Sequence, residues 1–149
     1  MIFVASDHAG VDLKEKIEKY LTKCGLEFVD LGTNSSVSVD YPFYAKLLAE
    51  SVLKDANGIG ILICGTGIGM SIAVNRFPTI RGALCRTAQN AYFARLHNNA
   101  NVLVLGGRDK LTCFNYKKIV KTFLNTQFEG GRHQRRIALI DSQAKNIKN

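Results

Sequence analysis

No run of about 18 consecutive apolar residues occurs in the chain, so no segment reads as a membrane-spanning helix. The first residues enter an apolar run directly, without the charged start and small-residue cleavage site of a secretory leader. Cysteine is sparse. Its four positions, 24, 64, 85 and 113, include no Cys-x-x-Cys pair, which argues against a disulfide scaffold or a structural zinc site. No acidic cluster gathers in the manner of a hard-cation site, and neither a metal nor a cofactor is expected. Internal repeats, low-complexity segments and linkers are also missing, so residues 1–149 read as one domain with a polar tail in the last few. A reduced, cytoplasmic protein is the expectation these absences leave.

Acid is the minority charge, with 12 Asp and Glu against 20 Lys and Arg, for a formal charge of +8. Such a balance suits nucleic acid, an anionic surface or a phosphorylated small molecule. The basic residues are scattered, as at Lys14, Lys16, Lys19, Lys23, Lys117, Lys118 and Lys121, and only Arg132, Arg135 and Arg136 form a dense group. Nucleic-acid folds carry a basic stripe with stacking aromatics. Neither nucleic acid nor a membrane is therefore an expected partner.

Apolar residues make up 46% of the chain, enough for a full core, and they fall in alternating strand-like and helix-like runs. Residues 2–5, 28–32, 59–64, 83–85 and 102–107 read as strands. The third is apolar on both faces, as in a central parallel strand. Helical spacing links Leu13, Ile17, Tyr20, Leu21 and Cys24, stopped by Gly25, and Tyr44, Leu47, Leu48, Ser51 and Val52. Asp40 is placed to cap the latter helix, with Pro42 in its first turn. A short helix is expected over 70–76, another after a Thr87 cap, a long one through Phe123, and a C-terminal one from Gly130. This alternation predicts an α/β, three-layer, Rossmann-like fold with a five-stranded parallel sheet and a C-terminal helix.

In such sheets ligands bind beyond the carboxyl ends of the strands, where this sequence concentrates polar and glycine residues. Strand one runs into Ser6-Asp7-His8-Ala9-Gly10, strand three into Cys64-Gly65-Thr66-Gly67-Ile68-Gly69-Met70-Ser71, and strand five into Gly106-Gly107-Arg108. The glycine loop could turn bare amides toward an anion, or be only a tight strand–helix turn. It matches neither the dinucleotide fingerprint nor the P-loop. Cys64, beside that loop, reads as a general base or as a packing residue, while Cys24, Cys85 and Cys113 read as packing. Asp7-His8 could meet a hydroxyl or phosphate, or cap the first helix. His97 could act in catalysis or complement a helix C-terminus. Arg132 and Arg136 could clamp a phosphate bidentately or form a solvated basic face.

Taken together, these segments resemble the ribose-5-phosphate isomerase B family, which also contains galactose-6-phosphate isomerase subunits. The matching pieces are Ser6–Gly10, Asp40-Tyr41-Pro42, Cys64–Ser71, His97-Asn98-Asn99-Ala100-Asn101, Gly106-Gly107-Arg108 and Phe128-Glu129-Gly130-Gly131-Arg132-His133, in order from residue 1 to about 141. The resemblance implies interconversion of ribose 5-phosphate and ribulose 5-phosphate through an enediolate, a step of the non-oxidative pentose phosphate pathway. It also implies a homodimer, or a tetramer built from it, with active sites at the interface.

By that resemblance Cys64 is the base, Thr66 assists at the reacting oxygens, and amides around Gly65, Gly67, Gly69 and Ser71 stabilise the enediolate. Asp7 contacts sugar hydroxyls and Tyr41 lines the pocket. His97, opening the furanose ring, and Asn98 come from the partner subunit. His8, Arg132 and Arg136 hold the phosphate, supported by Arg108 of the partner. Some members use a glutamate shortly after the glycine loop instead; Met70 stands there in this chain, which favours the thiol.

One competing expectation is a galactose- or allose-6-phosphate isomerase of the same family. The galactose enzymes divide the site between unlike subunits, whereas this chain carries every part. A nucleotide-binding module is disfavoured because Gly10 stands alone after the first strand and Asp30 lies inside the second. A regulatory protein that lost catalysis is disfavoured by the intact set Asp7, Cys64, Thr66, His97 and Arg132.

Overall fold

The computed structural model describes residues 1–146, so the end of the expected polar tail lies outside the described residues. The strands are β1 (Ile2–Ser6), β2 (Phe28–Asp30), β3 (Ile59–Cys64), β4 (Gly82–Leu84) and β5 (Val102–Gly106). The helices are α1 (Val11–Lys23), α2 (Tyr41–Lys54), α3 (Ile68–Val74), α4 (Ala88–Asn98), α5 (Lys110–Asn125) and α6 (Arg132–Asn146). The strands form one sheet in the order β2-β1-β3-β5-β4, every pair parallel. Parallel neighbours require crossovers, and the helices supply them on both faces.

Alternation along the strands sorts the core into two layers. Val4, Ile61, Ile63, Leu103 and Leu105 meet α1, α4 and α5 on one face. Ala5, Leu62, Cys64, Val102 and Val104 meet Ala45, Leu48 and Val52 of α2 and Met70 and Val74 of α3 on the other. The three-layer, Rossmann-like architecture expected from the alternation is therefore observed. Among the described residues no helix is long and apolar enough to cross a membrane.

Helix ends follow local chemistry. Gly25 ends α1 at φ +68°, with its N–H donating to Thr22 O at 3.0 Å and that of Leu26 to Leu21 O at 3.0 Å. This is the Schellman arrangement. It leaves Cys24 exposed at the helix end, which overturns the packing reading of that residue. Thr87 caps α4 as expected: its hydroxyl accepts from Asn90 N–H at 3.1 Å, and Asn90 Oδ1 accepts in return from Thr87 N–H at 3.2 Å. Asp40 occupies the cap position of α2, but its side chain makes no capping bond. The short helix α3 begins at Ile68, two residues before the expected start, because Gly67 at φ +80° turns the chain directly into it.

Lys14 corrects the picture of a scattered basic surface. It is fully buried, and Nζ donates to Glu18 Oε1 at 2.9 Å, Asp30 Oδ1 at 2.7 Å and Asn34 Oδ1 at 2.6 Å. One cation thus ties α1 to the end of β2 and to the loop beyond. Burial pushes the Asp30 carboxyl up, yet hydrogen bonds from Lys14, the Gly32 N–H and Asn34 outweigh it and hold Asp30 below its ordinary value. At Glu18 burial outweighs the same lysine and the carboxyl is raised. The loop in turn brackets the end of β1: Ser6 N–H donates to Gly32 O at 2.7 Å and Thr33 N–H to Ser6 O at 2.9 Å.

Candidate active site

From β1 the chain crosses to β2 on one side, and β3 lies on the other side of β1, so the carboxyl ends of β1 and β3 flank the reversal point where open α/β sheets bind ligands. Asp7 and His8 leave β1 there, and Cys64 closes β3 beside them. Asp7 is 7% exposed, and its Oδ1 accepts from Ala9 N–H at 2.9 Å. The carboxylate makes an Asx turn at the strand end. Gly10, not Asp7, is the cap residue of α1, so the capping alternative for Asp7 does not hold. His8 Nδ1 accepts from Val39 N–H at 3.2 Å. In the neutral ring that bond leaves the proton on Nε2, available to donate to a ligand oxygen.

Cys64 is 5% exposed and lies on the α2–α3 side of the sheet. Its Sγ accepts from Gly67 N–H at 3.2 Å, which fixes the sulfur against the loop. The Thr66 hydroxyl accepts from Ile68 N–H at 3.2 Å. Another expected amide is engaged internally: Ser71 N–H donates to Gly67 O at 3.0 Å, and the Ser71 hydroxyl donates to Ile68 O at 2.8 Å. Gly69 and Met70 sit in the first turn of α3, where main-chain N–H groups have no intrahelical acceptor. The row of donors is thereby shifted toward Gly69 and Met70 relative to the sequence expectation.

Two side chains roof this loop. A Cβ at Gly69 would stand 2.9 Å from Tyr41 Cζ, so the tyrosine ring lies directly on that glycine. A Cβ at Gly65 would stand 3.5 Å from Arg108 Cδ, so the exposed Arg108 extends over the strand end of its own chain. Asp7, His8, Tyr41, Cys64, Gly65, Thr66, Gly67, Gly69, Ser71 and Arg108 are therefore gathered at one rim.

His97, Asn98, Arg132 and Arg136 are not. The helix α4 starts past the carboxyl end of β4 and returns over its eleven residues, about 16 Å, to feed β5 at the opposite rim. His97 and Asn98 stand at its far end. Glu129 N–H donates to Leu96 O at 3.0 Å and holds the start of α6 beside them. There the His97 and His133 rings stack at 4.3 Å between centroids and 11° between planes, with the Phe93 ring 4.9 Å from His97 and tilted by 37°. Burial, together with His97 and Arg132, pushes His133 below its ordinary value. His133 and Glu129 were missed as neighbours of His97 because they lie more than thirty residues away in sequence; Phe128–His133 had entered only as part of the resemblance.

A groove of about 600 Å³ runs along the edge strand β4, past Phe93, Asn98 and Ile140. Of its charged residues Arg76, Arg81 and Asp141, the last two pair with each other at 3.3 Å. Burial pushes its thiol, Cys85, up to about 12, which fits the packing reading and leaves no base there.

Residues 2–140 match the ribose/galactose isomerase family. The chain is 45% identical over 134 residues to ribose-5-phosphate isomerase B of Escherichia coli, covering 90% of this chain and 89% of that protein. Among solved structures it resembles a ribose 5-phosphate isomerase of Thermotoga maritima at TM-score 0.91 and 54% identity, over 95% of this chain and 97% of the other. It equally resembles ribose-5-phosphate isomerase B of Mycoplasma genitalium with bound ribulose-5-phosphate, at TM-score 0.91 and 45% identity, over 97% and 96% of the two chains.

Proposed function

The chain belongs to the ribose/galactose isomerase family, and from that premise we propose that it interconverts ribose 5-phosphate and ribulose 5-phosphate. The reading is carried by the strand-end cluster in which a thiol, a carboxylate and unengaged main-chain amides converge at the reversal point of the sheet.

Aldose–ketose isomerisation needs a base, a place for negative charge on oxygen, and an anchor for the unreactive end. In the open-chain aldose Cys64 removes the proton from C2, leaving an enediolate with its charge on the C1 oxygen. The hydroxyl proton then passes from the C2 oxygen to the C1 oxygen, and the proton held by Cys64 is delivered to C1 as the ketose forms. Thr66 attends those oxygens, and the free amides of Gly69 and Met70 at the start of α3 hold the charge; a well-aimed donor of this kind contributes about 3–4 kcal/mol to the transition state. Asp7 accepts from sugar hydroxyls, and Tyr41 closes the loop from above. Binding at the phosphate positions the reacting carbons; in this reading its ligands are His8 and Arg108 at the rim that carries Cys64, with the partner subunit's Arg132 and the partner subunit's Arg136, which stand beside His97.

The working unit is a homodimer with its sites at the interface. Support comes from α4, which takes His97 and Asn98 to the rim opposite Cys64 in the same chain. A two-fold arrangement lets one copy lend His97, for furanose opening, to the thiol of the other. A single domain acting in the cytoplasm completes the reading.

The test measures ribose 5-phosphate turnover with allose 6-phosphate as a comparison substrate, in wild type, Cys64→Ala and His97→Asn. Each variant alone is expected to bind sugar phosphate without turnover. Unfolded and refolded together in equal amounts, they should recover about a quarter of wild-type activity, because mixed dimers hold one intact site. Full activity in Cys64→Ala removes the thiol from the base role, and no recovery on mixing removes the shared site.

A further inference from the structure

We propose that His97, Glu129 and His133 form a site for a first-row divalent transition ion such as Zn²⁺, and that its occupation silences the isomerase. The donor atoms are already assembled. His97 Nε2 lies 3.8 Å and His133 Nε2 3.6 Å from the same Glu129 Oε2, and all three lie within 4.8 Å of one another. Zinc bonds of about 2.0–2.2 Å at tetrahedral angles separate neighbouring donors by roughly 3.3–3.5 Å. Closing the carboxylate onto an ion requires movements of a few tenths of an ångström at those two contacts, and one imidazole must turn out of the 11° stack so that both in-plane lone pairs meet the ion. Two imidazoles and one carboxylate suit zinc and leave a fourth position open.

The backbone builds this arrangement rather than leaving it to side-chain drift. Gly130 and Gly131 adopt φ of +74° and +55°, folding Glu129 back over the first turn of α6. The bond from Glu129 N–H to Leu96 O locks that turn to the end of α4, and His133 N–H donates to Gly130 O at 3.0 Å. Phe93 backs the His97 ring. One side of the site is closed, with the His133 side chain 8% exposed, and the other is open, with Glu129 at 51%. The guanidinium groups of Arg132 and Arg136 are the opposing charges, and Arg132 Nε donates to His133 Nε2 at 3.4 Å, a bond the ion must displace. Arg132 is exposed, so it can swing into solvent as the ion enters.

Silencing rests on the reading of His97 as the ring-opening group, since a metal on Nε2 takes up the lone pair that proton transfer needs. The binding half stands without that reading. The test titrates zinc chloride into metal-stripped protein by calorimetry and follows ribose 5-phosphate turnover over the same range. Wild type should bind one ion per chain. Glu129→Gln, which alters an exposed carboxylate and keeps the fold, and His133→Asn should each bind at least tenfold more weakly. Turnover of wild type should fall with the same midpoint as binding, while that of Glu129→Gln is insensitive at that concentration. No saturable binding, or equal binding by both variants, overturns the site. Binding that depends on Glu129 and His133 but leaves wild-type turnover untouched keeps the metal site and instead overturns the role of His97.

Discussion

Replacing Gly67 by alanine probes the loop beside the thiol most directly, and its cost can be worked from contacts. Gly67 sits at φ +80°, in the left-handed region, where a side chain costs about 1–2 kcal/mol. The new Cβ would also stand 2.4 Å from Leu84 Cδ1, 3.1 Å from the Leu105 carbonyl carbon and 3.2 Å from Gly106 N. Leu84 is exposed and its methyl can move aside, but the β5 backbone cannot, and overpacking of this kind costs about 1–3 kcal/mol. The sum is roughly 2–5 kcal/mol, or a fall in melting temperature of about 5–15 °C for a domain of this size.

Relief comes only by moving the loop, and the loop carries both the Gly67 N–H that holds Cys64 Sγ and the amides before α3. A displacement near 1 Å should reduce kcat about 100-fold. Gly25→Ala is the control. Its φ is +68°, but nothing lies within 4 Å of its Cβ, so it should lose about 1 kcal/mol of stability and no turnover. Urea unfolding and steady-state ketose formation on both variants decide the matter. A Gly67→Ala enzyme melting like wild type with kcat within about threefold refutes the reasoning.

Lys14→Met should cost about 2–3 kcal/mol at neutral pH: removing one partner of a buried pair costs about 3–5, reduced here because Glu18 and Asp30 are 18% and 28% exposed and can take up water. Asp30 is held below its ordinary value, so its contribution is present above about pH 4 and is lost as pH falls through the folded value; Glu18, raised, opposes it in part. The stability gap to wild type in urea should narrow in acid, and a gap independent of pH contradicts the pairing. Arg136→Ala should raise the KM for ribose 5-phosphate about 10–100-fold, the loss of a charge-assisted bond to phosphate, with kcat less affected. An unchanged KM removes Arg136 from the phosphate ligands.

What the sequence made legible was local. β3 and β5 stand out as apolar runs because both of their faces are covered, and the Thr87 cap and Gly25 stop depend on neighbours within a few residues. Polar groups after β1, β3 and β5 point to one rim, and the fold gathers them there. Missing were features made by distant segments. Lys14 looked like one more surface cation because two of its three partners lie 16 and 20 residues away. The meeting of His97 with Glu129 and His133 depends on two left-handed glycines and a bond to Leu96, none of which has a periodic signature. The engagement of Ser71 within α3 could not be read from a motif that shows only spacing.

The ion hidden at Lys14 has a consequence for the reacting rim. It anchors the far side of the segment whose Gly32 and Thr33 clasp Ser6, the residue immediately before Asp7. The Asp7 carboxylate, proposed above to meet the sugar, thus takes its stiffness from charges packed behind it. Exchanges at Asp30 or Asn34, which never touch substrate, would loosen the grip on hydroxyls before they loosened the sheet.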